Sequence, residues 1–271
     1  MKDVRANLKL LAVLFFLCLF FFPFTADARS GIKDLRRTHN PRSSGTVSHK
    51  AWNDFLRVYV HVRRGANLVN YRGVTNADAR ALDDYISTLR RVKVSGLNRA
   101  EQKAFWINLY NALTVQTILN AYPVSSILDI DTSPPGTDGP WGKKIVSVEG
   151  VLLSLDDIEH GILRPVWKDA RIHYAVNCAS IGCPDLAPVA YTAENTEQLL
   201  ENGARDFANH PRGVKVKDGK LVISSIYFWF AEDFGGVREH IAKYAAPKLA
   251  ATVKRTSGLV EGGYDWSLNE K

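Results

Sequence analysis

The sequence predicts a helix-rich α+β fold, a single domain with short strands and hairpins inserted in its C-terminal half. Three observations carry that expectation. Arg99 to about Ala121 is apolar on nearly every face, the pattern of a helix buried inside a domain. Two amphipathic segments precede it, with apolar residues at helical spacing. Short apolar runs follow it, interrupted by Glu149-Gly150 and Asp218-Gly219, dipeptides suited to hairpin turns. Strands gathered late in the chain suit α+β rather than alternating βα units. At 46% hydrophobic and 23% charged, the chain has an ordinary globular composition, which excludes disorder over most of its length.

Taken in order, the chain opens on a targeting segment. Lys2, Arg5 and Lys9 precede an unbroken apolar run, Leu10 to Phe22, closed by Pro23, and Ala26-Asp27-Ala28 fits a small-x-small cleavage site. Residues 1–28 are expected to be a signal peptide, with Arg29 the mature start and the protein exported, periplasmic or extracellular. The run is shorter than the roughly 20 apolar residues of a spanning helix, so no stable membrane span is expected after cleavage, although a retained anchor is the alternative. Residues 29–50 are basic and rich in Gly, Ser and Pro, and read as a flexible linker. The domain is expected over 51–271.

Trp52, Phe55, Leu56, Tyr59 and Val60 define a first helix, and Ala81, Leu82, Tyr85, Ile86 and Leu89 a second, over 75–89. Asn98 with Glu101 starts the third by a capping box, and Tyr122-Pro123 ends it. Ser133 to Gly142 is a turn-rich loop. Lys144–Val148 and Val151–Ser154 pair as a hairpin. Ser154 and Asp157 then open a short helix that carries Glu159 and His160. Arg171 to Asn177 reads as a strand. Asn195–Phe207 is a helix, 214–216 and 220–223 a hairpin, and Val237–Leu249 a last helix. Tyr264 to Asn269 is patterned enough to pack back on the domain.

The net charge is +7 and falls to +6 without the leader, which suits weak attraction to anionic surfaces or substrates. The basic residues are scattered as pairs without interleaved aromatics, so no nucleic-acid partner is expected. Asp233-Phe234-Gly235 lacks the other elements of a kinase and reads as a turn. Glu159-His160 lacks the second histidine of a metalloprotease motif, and its plain reading is a helix exposing polar residues. Asn108 and Asn111 share a face of the buried helix; such amides must be hydrogen-bonded, either anchoring a loop or lining a site.

The most informative segment is His173 to Pro184, HYAVNCASIGCP, which holds both cysteines outside the leader. As a straight strand, it would separate His173 from Cys178 by about 16 Å. His160 is then the better base for a Cys178 nucleophile. Three readings compete. A Cys178–Cys183 disulfide fits an oxidising compartment if the intervening residues turn tightly. A reactive Cys178 thiol could be assisted by Asn177 and Ser180. Zinc held by His173, Cys178 and Cys183 matches no common spacing, so no metal or other cofactor is expected. The residues alone rank the disulfide first.

Four segments, Ala104–Leu113, Leu155–Arg164, His173–Ser180 with Cys183-Pro184, and Tyr264–Asn269, resemble in their order and spacing the family called domain of unknown function 547. The resemblance runs from about Trp52 to the C-terminus. It implies kinship with exported bacterial and intracellular plant proteins, and no settled activity. Because intracellular members share the paired cysteines, it favours a thiol or pocket role over a disulfide alone. It also brings forward Asn108, Asn111, Glu159, Arg164 and Ser180 as pocket or binding residues. The leading expectation is a thiol-dependent hydrolase or acyl/amide-transfer enzyme acting on a small molecule or peptide. Cys178 would be nucleophile, His160 or His173 base, and Asn177 or Asn108 an oxyanion or orienting donor. The alternatives are a non-catalytic binding or scaffold domain with bridged cysteines, and a thiol redox role.

Overall fold

A computed structural model describes residues 24–63, 65–136 and 138–271. The basic start and apolar run of the expected leader lie outside the described residues. Among those described, no helix is long and apolar enough to cross a membrane.

Helix α1 spans Phe24–Arg37. Its end and the chain after it are tied down, which corrects the expectation of a flexible linker over 29–50. Leu35 is buried in the core. Arg99 Nη2 donates to Arg36 O at 2.8 Å, and Gln102 Nε2 donates to Thr38 O at 3.0 Å. Asn40 N–H donates to Leu97 O at 2.9 Å. A polar, glycine-bearing composition resembles a tether, yet backbone carbonyls satisfied by the side chains of Arg99 and Gln102 order it.

Helix α2 (Lys50–Tyr59) buries Trp52, Phe55, Leu56 and Tyr59, as its spacing predicts. Strands β1 (Val60–His61) and β2 (Leu68–Val69) form a small antiparallel pair, earlier in the chain than any expected strand. Helix α3 (Asn76–Leu89) starts where Thr75 caps Asp78 N–H. Helix α4 (Arg99–Ala121) is the central rod; Asn98 Oδ1 accepts from Glu101 N–H at 3.0 Å. Strands β3 (Val146–Val148) and β4 (Val151–Leu153) form the expected hairpin. Glu149 (φ 49°) and Gly150 (φ 80°) both take positive φ, the requirement of a tight hairpin turn.

The Ser154/Asp157 box forms reciprocally: Ser154 Oγ accepts from Asp157 N–H and Asp157 Oδ2 accepts from Ser154 N–H. It opens a π-helical segment, Asp157–Leu163, which runs into α5 (Arg164–Trp167). Wide π turns of this kind often occur at functional sites. Helix α6 (Thr196–Asn209) precedes β5 (Val214–Lys217) and β6 (Lys220–Ile223), the second expected hairpin. After α7 (Ile226–Trp229), the last expected helix is split into α8 (Val237–Tyr244) and α9 (Pro247–Arg255). Pro247 disfavours helical geometry at Ala246, whose ψ is 151°. Strand β7 (Leu259–Glu261) then joins β6 in parallel.

The strand expected at Arg171–Asn177 is not formed. Ala170–Tyr174 is a 3₁₀ helix, capped by Asp169 accepting from Arg171 N–H at 3.0 Å. A short apolar run is ambiguous by periodicity, and here a local cap and the amide of Asn111 decide it.

His49, just before α2, is buried and its Nδ1 meets Tyr85 OH at 2.7 Å. Burial pushes its pKa down to about 4. An unfolded histidine takes a proton near pH 6.5, which the folded one refuses until about 4. The folded pKa is the lower one, so this contribution is complete above pH 6.5 and is lost as pH falls from 6.5 to 4, by up to about 3 kcal/mol. Urea midpoints should therefore drop across that window. His49→Gln, which can still pair with Tyr85, should flatten the drop; an unchanged slope would contradict the assignment.

Candidate functional site

One end of the domain contains a cavity of about 220 Å³. Its floor comes from α4 and the π-helical segment, through Tyr110, Asp156, Glu159 and His160. One side comes from the 3₁₀ helix and thiol loop, through His173, Val176, Cys178 and Cys183. The rim comes from α7 and the C-terminal segment, through Trp229, Phe230, Tyr264 and Trp266, with Trp141 from the turn-rich loop.

The thiol loop is built by asparagine amides. Asn111 Nδ2 donates to Ala175 O at 2.8 Å, and its Oδ1 accepts from Asn177 N–H at 2.9 Å. Asn108 does the same for Tyr191, at 2.7 and 3.0 Å. Each amide thus satisfies one carbonyl and one N–H of a crossing segment. Neither lines the cavity, so their expected pocket role is corrected to loop anchoring. Asn177 is also committed: it donates to Pro184 O at 2.8 Å and accepts from Ala179 N–H at 2.9 Å. Asn177 is buried and is not among the residues that line the cavity, which corrects its expected role as an oxyanion donor. Ala179, held by this Asn177 contact and by Asn269 N–H donating to its carbonyl at 3.0 Å, sits at φ 58°. That left-handed conformation is uncommon for a residue with a Cβ and is found at tightly held sites.

Cys178 is half-buried and Cys183 buried, and both thiols are free. Cys178 N–H donates to Cys183 Sγ at 3.1 Å. Cys178 Sγ meets Tyr264 OH at 2.8 Å and Ser180 Oγ at 3.1 Å, and the two hydroxyl oxygens lie 2.9 Å apart. Burial alone would push the Cys178 thiol up. Hydrogen bonds from Cys183, Ser180 and Tyr264 outweigh it and hold the group below the usual thiol range. Burial, reinforced by Cys178, pushes Cys183 well up. The pair is thereby divided into one thiol poised to ionise and one that is not.

Tyr264 reaches this position because the C-terminal segment pairs along the thiol loop. Ile181 N–H donates to Ser267 O at 2.8 Å and Gly182 N–H to Asp265 O at 2.7 Å. A Cβ at Gly182 would stand 2.7 Å from Asp265 N and 3.0 Å from Asp265 O. Gly182→Ala should therefore push the two segments apart, costing about 1–3 kcal/mol of stability. It should also slow alkylation of Cys178 in the folded protein; an unchanged rate would dissociate that pairing from the thiol.

The expected histidines are both on the cavity wall, so the separation derived from a straight strand does not apply. Their contacts differ from those of a direct base. His173 Nε2 meets Asp233 Oδ2 at 2.7 Å and its Nδ1 lies 3.5 Å from Glu159 Oε1, while its ring stacks on Phe230 at 4.2 Å. Both ring nitrogens face carboxylates, leaving none for Cys178. His160 Nδ1 accepts from Arg164 Nη1 at 3.1 Å, and its Nε2 has Asp156 Oδ1 at 3.8 Å. The sulfur's hydrogen bonds go to hydroxyls rather than to either imidazole.

Glu159 is buried, contrary to the plain reading of an exposed helix face. Burial would push its carboxyl up, but the His173 and His160 rings and the Tyr110 hydroxyl prevail and hold it below the usual range. Asp233 is likewise held low, by Arg164 and His173 against burial. Arg164 lies behind the wall, 2.5 Å from Asp233 and 2.9 Å from Glu232. Asp156 is pushed up by burial.

Sequence reasoning missed Asp233 and Tyr264 as site residues. Asp233 belonged to a triplet read only as a turn. Tyr264 lay in a segment singled out for its patterning, which was its one visible signal.

The cavity is lined largely by aromatic rings, with the Cys178 thiol on its wall, in a helix-rich α+β fold. Residues 94–208 match the family model described as "Protein of unknown function, DUF547", and the chain thus carries a DUF547 domain. Three of the four segments that suggested the resemblance fall inside that match; Tyr264–Asn269 lies beyond it. No curated protein and no solved structure matches the chain.

Proposed function

We propose that the protein is a thiol-dependent hydrolase or acyl/amide-transfer enzyme with Cys178 as nucleophile. One observation carries the reading: Cys178 Sγ stands on the cavity wall within 2.8 Å of Tyr264 OH and 3.1 Å of Ser180 Oγ. Hydroxyl donors aimed at sulfur favour the thiolate, the attacking form. Attack forms the bond from sulfur to the carbonyl carbon and moves an electron pair onto the carbonyl oxygen. Sulfur no longer carries charge at that moment, so the Tyr264 and Ser180 hydroxyls are free to donate to the new oxyanion. Collapse expels the alcohol, thiol or amine. His160 Nε2, without a partner closer than 3.8 Å, is the ring nitrogen left to exchange its proton. Water or an acceptor amine then releases the acyl group from sulfur.

His173, between Glu159 and Asp233, is a positioning residue in this scheme: it holds Glu159 ionised beneath the cavity. The leader supports an exported setting, which N-terminal sequencing of the secreted chain tests by whether it begins at Arg29.

Activated p-nitrophenyl esters test the nucleophile. A burst of product with a matching acyl mass on the Cys178 peptide, absent in Cys178→Ser, is the expected result. Turnover undiminished in Cys178→Ser would overturn the reading.

A further inference from the structure

The cavity wall bears on what the substrate carries, an inference that rests on this cavity being the substrate side of the Cys178 site. The chain has net charge +7, with 35 lysines and arginines, yet none among the described residues lines this cavity. Two carboxylates do, Asp156 and Glu159. The apolar part of the wall is mostly aromatic. An alkyl-chain site would be lined by aliphatic side chains, and only Val176 and Ile226 are of that kind here.

Four of the rings lining the cavity pack against one another, with centroids 4.5 to 5.9 Å apart. Trp141 and Trp266 meet at 63°, Tyr264 and Trp266 at 52°, and Trp229 and Tyr264 at 46°, while Trp229 and Trp266 stack at 23°. A cluster of π faces beside carboxylates, with no cationic side chain between them, attracts an organic cation. The protein already uses one such face internally: Arg164 Cζ lies 5.0 Å over the Phe230 ring. The rings of Trp141, Trp229, Trp266 and Tyr264 have no such cation partner among the described residues.

We infer that this cavity binds an alkylammonium group, held by the faces of Trp141, Trp229, Trp266 and Tyr264 and balanced by Asp156 and Glu159. The substrate class is then an ester, thioester or amide that carries this cation close to its scissile carbonyl. The volume of about 220 Å³ accommodates such a head group with a short linker.

Calorimetric titration of choline into the full chain carrying Cys178→Ser tests binding apart from chemistry. The control ligand is 3,3-dimethylbutan-1-ol, which has nearly the same shape and no charge. Choline should bind at least tenfold more tightly, about the upper part of the cation–π range. Trp229 is 48% exposed and the Asp156 side chain 39% exposed, so both can be changed without opening the core. Trp229→Leu and Asp156→Asn should each weaken choline about threefold to tenfold and leave the alcohol unaffected. Equal binding of the two ligands, no choline binding at millimolar concentration, or choline affinity unchanged in both variants would overturn the inference. None of these outcomes touches the nucleophile reading, which is decided by the acyl mass on Cys178.

Discussion

Replacing Asn111 with Ala should lower stability by about 2–6 kcal/mol. The side chain makes two buried hydrogen bonds, one to Ala175 O and one from Asn177 N–H. The substitution removes both partners at once and leaves a backbone carbonyl and a backbone N–H without water or protein to pair with. Each such orphan costs about 1–3 kcal/mol. Against a typical domain stability of about 5–15 kcal/mol, that is a large fraction. The loss should show as a lower urea midpoint with an unchanged slope. Asn111→Asp keeps the acceptor for Asn177 N–H but places a carboxylate oxygen against Ala175 O, so it should not rescue. A loss below about 0.5 kcal/mol in Asn111→Ala would mean that the Ala175–Asn177 turn is set by something other than this amide.

The second large effect belongs to Tyr264. In Tyr264→Phe the ring remains between Trp229 and Trp266, and only the hydroxyl at 2.8 Å from Cys178 Sγ is lost. One donor fewer on the thiolate should raise the thiol pKa, and thiolate-dependent alkylation near neutral pH should slow severalfold. The sign is fixed by the balance at this sulfur: burial acts to raise the pKa, and hydrogen bonds from Cys183, Ser180 and Tyr264 lower it. At high pH, where both proteins are ionised, the rates should converge. A uniform slowing at every pH would show lost access rather than lost thiolate.

These two residues also mark what could be read from the sequence. Helix α4 was legible because its start, its end and its all-round apolar character are local: Asn98 caps Glu101, and Tyr122-Pro123 stops the chain. The hairpins at Glu149-Gly150 and Asp218-Gly219 were legible for the same reason, since positive φ at both turn residues is a demand on residue type. The Ala170–Tyr174 segment was not. Its apolar residues suit a strand, and the amide that fixes the following turn comes from Asn111, 64 residues away from Ala175. Cys178 was legible as a candidate from its neighbours, but its hydroxyl partner Tyr264 lies 86 residues on. Asp233, the partner of His173, lies 60 residues on, in a triplet whose local meaning is only a turn. Local chemistry announced the loop that carries the thiol. The groups that tune it are tertiary, and sequence spacing alone could not place them.

The most direct measurement is the pH dependence of iodoacetamide alkylation on the native chain without reductant, with Cys178 and Cys183 quantified separately by peptide mass. The account predicts rapid labelling of Cys178, with a midpoint below that of an ordinary thiol, and a Cys183 that stays unlabelled until the protein is denatured. No labelling of either cysteine until reductant is added, or a Cys178 that titrates at or above an ordinary thiol, would contradict it.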